Sequence, residues 1–92
     1  MPIRLNHPNV CSFEGTFPEG FADVSYGNDV CASIYSSKLG LKVFIDHLLP
    51  RDREEPEYSR FSIYRANEFG ETEELMFETE DFKDVETYIN DY

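Results

Sequence analysis

Cys11, Cys31, His7 and His47 are the side chains of this 92-residue sequence that could ligate zinc or attack an electrophile. A zinc centre usually takes two of its ligands from one tight turn, as CxxC does, so that a tetrahedron can close. Here three residues separate His7 from Cys11, nineteen separate Cys11 from Cys31, and no CxxC occurs. The spacing predicts no zinc centre. Nucleophilic catalysis needs a thiolate with a base and an orienting acid. Asp46 and His47 adjoin, but neither cysteine stands in a basic stretch that would lower its pKa. Both are read as small core or edge residues with reduced thiols, and a single Cys11–Cys31 disulfide stays open. Carboxylates are abundant, yet no D-x-D-x-D-G loop organises them around calcium. The glycines at 15, 20, 27, 40 and 70 are isolated turn residues, not a phosphate loop. The expectation is a protein that is not an enzyme and carries no cofactor or metal.

The carboxylates carry the one pattern that remains. Nineteen Asp and Glu face eight Lys and Arg, a net charge of -11. Residues 1–45 hold four acids and three bases, whereas residues 68–92 hold ten acids against Lys83 alone, a net of -9. Like charges crowded into so short a segment repel one another and lower stability. On a strand, residues i and i+2 lie about 6.6–6.8 Å apart, which would set Glu74, Glu78 and Glu80 in a row beside Met76. Asp84, Glu86 and Asp91 would continue that surface on a helix. Fixed anions at such spacings resemble a nucleic-acid backbone, with one charge per about 3.4 Å of strand. Glu71, Glu73, Glu74, Glu78, Glu80, Asp84, Glu86 and Asp91 are therefore the candidate partner-binding set, and the partner they suit is a basic protein surface. A solvated acidic face is the plainer reading of the same residues. Direct nucleic-acid binding is disfavoured, because the eight bases are scattered and phosphates would be repelled.

The elements that must hold these residues read as one domain, residues 1–92, of the α+β class. An antiparallel sheet of five to six strands in a hairpin meander is expected, with one C-terminal helix on one face. Gly27-Asn28 reads as a two-residue hairpin loop between strands at 21–26 and 29–36. Residues 10–14 can add one more strand. Residues 36–40 read as a turn, and Leu41, Val43 and Ile45 alternate as a further strand. The charged, proline-bounded segment near 49–59 reads as a solvated loop without core residues. A second hairpin runs from 60–66 through Asn67-Glu68-Phe69-Gly70 to 72–79, with Leu75, Phe77 and Thr79 on one face. Asp81 is placed as a helix N-cap, with Asp84 as its capping-box partner. Phe82, Val85, Ile89 and Tyr92 then form the buried stripe. Phe61, Tyr64, Phe69, Phe77, Phe82 and Tyr88 are expected mostly in the core, with one or two of Tyr58, Tyr88 and Tyr92 exposed as interface anchors.

The 22-residue stretch ETEELMFETEDFKDVETYINDY, with the charge segregation above, resembles in composition the small acidic proteins by which bacteriophages inhibit host nucleic-acid enzymes, such as anti-CRISPR and anti-restriction proteins. That resemblance implies a nucleic-acid mimic that occupies a basic DNA- or RNA-binding groove. The alternative is a bacterial interaction or homodimeric assembly module whose acids serve solubility. No apolar run is long enough for a signal peptide or membrane span, so a cytoplasmic location is expected and no membrane partner.

Overall fold

A computed structural model of the chain describes residues 2–5, 13–16, 20–24, 32–47, 49–53 and 57–92. His7, Cys11, Cys31 and the Gly27-Asn28 turn fall outside the described residues. Among the described residues, seven strands form two antiparallel sheets. β1 (Pro2–Leu5) pairs with β2 (Phe13–Thr16). The larger sheet is a meander in the order β3-β4-β5-β6-β7: β3 (Phe21–Asp23), β4 (Ala32–Ser36), β5 (Leu41–Ile45), β6 (Phe61–Ala66) and β7 (Thr72–Thr79). One helix, α1 (Phe82–Asp91), follows and packs on β6 and β7. The class is α+β, as the sequence indicates, though the further strand expected at 10–14 is described at Phe13–Thr16 and joins a separate two-stranded sheet rather than the meander.

Alternation builds the core. Ile34, Val43, Ile63 and Phe77 stand opposite one another across four strands, and Ala32, Ile45 and Phe61 repeat the pattern two residues on. Directly opposed residues share a face, so these rows make one apolar surface. Val85 and Ile89 of α1 are buried against it, with Phe82 and Tyr88 packed at its margin. A ten-residue helix is marginal alone in water; this burial is what holds it.

Local chemistry sets the boundaries. Asp81, in extended conformation, accepts from the Lys83 N–H at 3.0 Å as N-cap. Asp84 does not reach back in a direct capping box. Its Oδ2 accepts from the Thr79 hydroxyl at 2.7 Å, and the Thr79 oxygen accepts from the Asp81 N–H at 3.1 Å. Asp is a carbon shorter than the usual Glu, and Thr79 bridges the gap. In the β6–β7 turn, Asn67 Oδ1 accepts from the N–H groups of Phe69 and Glu71, and Gly70 takes a φ of 80° that an L side chain rarely adopts. Phe69 sits at this turn and is 79% exposed rather than in the core.

Two register shifts change how β7 presents its residues. Ile63 faces Phe77, but Tyr64 faces Leu75, leaving Met76 over; Arg65 faces Glu74, but Ala66 faces Thr72, leaving Glu73 over. Each extra residue is a β-bulge and moves what lies beyond it to the other face. Leu75 therefore leaves the Phe77–Thr79 face, joins Tyr64 and is 45% exposed. The expected row of Glu74 with Glu78 is broken in the same way: Glu78 opposes Ser62 on the face away from the helix, while Glu74 opposes Arg65.

Candidate functional site: the acidic hairpin and helix

The strand-and-helix unit displays its acids in several distinct settings. Glu80 leaves the end of β7 and meets an arginine from the proline-bounded segment. Arg53 Nη1 and Nη2 donate to Glu80 Oε2 and Oε1, each at 2.8 Å, in a bidentate pair. The Arg53 side chain is 1% exposed and also donates to the carbonyls of His47 at 2.8 Å and Tyr58 at 2.6 Å. Glu80 Oε2 further accepts from the Arg60 N–H at 2.9 Å. The Arg53 hydrogen bonds hold the Glu80 carboxyl below its ordinary pKa, against partial burial, with the Arg60 N–H assisting. The same bond raises Arg53 further above its ordinary value against the opposing cost of desolvation. Glu80 thus fastens the loop to the sheet. The expectation that this segment supplies nothing to the interior is corrected at Arg53: a guanidinium can be buried there because a carboxylate and two carbonyls receive its donors.

Glu73 and Glu74 share a second arginine. Arg65 Nε lies 3.4 Å from Glu73 and Arg65 Nη2 lies 3.2 Å from Glu74, all three side chains being about half exposed. The bulge at Glu73 is what lets two consecutive carboxylates approach one guanidinium. Glu71 is exposed in the turn and accepts from Asn67 Nδ2 at 3.0 Å. Among the described residues, Glu78, Asp84, Glu86 and Asp91 form no ion pair, and all four are exposed.

On α1 the acids divide by flank. With about 100° per residue, Asp84 and Asp91 lie about 20° apart round the helix axis, whereas Glu86 lies about 160° from Asp84. Asp84 is on the β7 side, as its bond to Thr79 shows. Between β7 and this flank runs a groove of about 380 Å³ lined by Phe77, Asp84, Thr87, Tyr88, Asp91 and Tyr92. Its rings are ordered: Phe77 and Tyr88 stack with centroids 5.0 Å apart and 9° between planes, and Tyr92 follows 6.1 Å from Tyr88 at 34°. Among the described residues Tyr58 and Tyr92 are the exposed tyrosines, at 58% and 54%, while Tyr88 is half-buried. The i, i+4 spacing of Tyr88 and Tyr92 suffices to bring those two rings together on a helix; the Phe77–Tyr88 stack and the Arg53 clamp have no local signal.

Among the described residues no cluster of three His, Cys, Asp or Glu could hold a metal ion, and no helix is long and apolar enough to cross a membrane. No family model, curated protein or solved structure matches the chain.

Proposed function

We propose that this is a non-catalytic binding protein that presents an acidic surface to the basic groove of a nucleic-acid-binding partner, competing there with DNA or RNA. Inhibition of a host defence nuclease, of the anti-CRISPR or anti-restriction kind, is the setting the composition suggests. The supporting observation is that Glu78, Asp84, Glu86 and Asp91 remain exposed and without an arginine partner among the described residues, on elements fixed by the Val85 and Ile89 core. Rigid anions favour fast, salt-sensitive association with a cationic groove.

The test converts Glu78 and Glu86 to Gln and Asp84 and Asp91 to Asn together. Immobilised wild type should retain from source-cell extract a nucleic-acid-binding protein released by salt and by added duplex DNA. The quadruple variant, shown by circular dichroism to be folded, should retain it at least tenfold less. Undiminished capture by the folded variant sinks the reading.

The exposed Leu75 and Met76 on the edge strand β7 favour a second reading, pairing of two copies through that edge. A dimer unchanged between low and high salt on sizing would support it. Two bulges and three glutamates on β7 act against edge pairing.

A further inference from the structure

The groove between β7 and α1 has a chemistry more specific than negative charge, and the inference drawn from it rests on the binding function above. Its lining includes Phe77 and Tyr88, stacked face to face on each other, and Tyr92, the exposed ring at the end of the series. Asp84 precedes Tyr88 by one turn and Asp91 follows it by one turn, so a carboxylate stands at each end, about 10 Å apart along the axis. The lining contains no base. The last turn of α1 contains none either, so the negative end of the helix dipole and Asp91 add rather than cancel. Aromatic faces attract cations, and a nearby carboxylate strengthens the attraction.

We infer that this groove is a binding site for an arginine side chain of the partner, with the guanidinium stacked on the exposed ring of Tyr92 and hydrogen-bonded to Asp91. Arginine fits better than lysine because its flat, weakly hydrated head can lie on a ring while its edge donors meet a carboxylate in the ring plane. An ammonium cannot use both surfaces in that way. The groove would anchor one arginine, and Glu78 and Glu86, which lie on other faces, would act on the partner through long-range attraction only.

The experiment titrates the full-length protein, isotopically labelled for NMR, with the peptide (Arg-Gly)5 and separately with (Lys-Gly)5 of equal charge. The arginine peptide is expected to bind about five-fold or more tighter, shifting resonances of Phe77, Tyr88 and Tyr92. Asp91→Asn and Tyr92→Ala, both at exposed positions, should each remove that preference, while Glu78→Gln and Glu86→Gln should weaken both peptides alike. Equal affinity for the two peptides, or an arginine preference that survives in both groove variants, overturns the inference. If the preference is absent but the Glu78 and Glu86 variants still lose partner capture, the groove assignment fails and the broader acidic-surface reading stands. If the preference is present and capture is indifferent to the acids, the reverse holds.

Discussion

Replacing Glu80 by Gln distinguishes a carboxylate that holds the fold from one that faces a partner. The change keeps the shape of the side chain but removes the charge opposite Arg53, whose head is almost wholly buried. Breaking a fully buried pair costs about 3–5 kcal/mol. Glu80 is itself 58% exposed, so water can partly solvate the change and the figure must be discounted. A loss of about 1–3 kcal/mol is expected, against a total of about 5–14 kcal/mol for a chain of this length. At this size that lowers the melting midpoint by about 5–20 °C. Urea titration followed by circular dichroism measures it, with Glu86→Gln as a surface control expected within about 0.5 kcal/mol of wild type. Arg53→Met in the Glu80→Gln background should cost less than the sum of the two single changes, since the second no longer strands a charge. If Glu80→Gln melts with the control, the clamp contributes nothing to stability and the argument for Glu80 as a structural residue is wrong.

The same pair predicts a pH dependence. Folding lowers the Glu80 pKa, so its contribution is complete above the unfolded pKa of about 4.3 and is lost as pH falls through the lower folded value. The stability gap between wild type and Glu80→Gln should be constant from about pH 7 to 5 and should close below about pH 4; a gap unchanged at pH 3 would contradict the assignment. Gly70→Ala should cost about 1–2 kcal/mol, because its φ of 80° is left-handed while the added methyl would meet only the Tyr35 ring at 3.8 Å. A melting midpoint equal to wild type would show that the turn relaxes freely.

What the sequence makes legible here is what neighbours in the chain decide. The N-cap at Asp81, the stripe through Val85 and Ile89, and β7 at Thr72–Thr79 follow from local periodicity and capping. The turn at Gly40 is legible for the same reason, since the strands on either side alternate cleanly and its φ of 66° suits glycine. The faces of β7 are not legible, because a bulge leaves the strand's length and composition intact and appears only against the pairing partner. Period two carried through Met76 puts Leu75 with Phe77, whereas pairing with Tyr64 puts it opposite. Arg53 is illegible for a related reason: its carboxylate lies 27 residues later, and proline and charge around it read as solvent-facing. The candidate site was therefore visible as a charge-rich unit and not as an arrangement.

That arrangement decides which acids need a partner to account for them. Glu73 and Glu74 have Arg65, and Glu80 has Arg53. Glu78 lies on an edge strand, where an outward charge discourages pairing with another chain whatever else it does. Asp84 sits in the first turn of α1, accepts from Thr79 and is favoured by the positive end of the helix. Asp91 has none of these reasons. It stands in the last turn, where the helix dipole disfavours an anion, next to exposed Tyr92 and with no base in that turn. No open ladder runs along a helix, so protection from edge pairing does not apply to it. A cation supplied from outside would turn this unfavourable placement into a favourable one, which shifts the weight of the functional argument from the strand to the last turn of the helix and makes Asp91→Asn, not a change on β7, the single substitution most diagnostic of a bound partner.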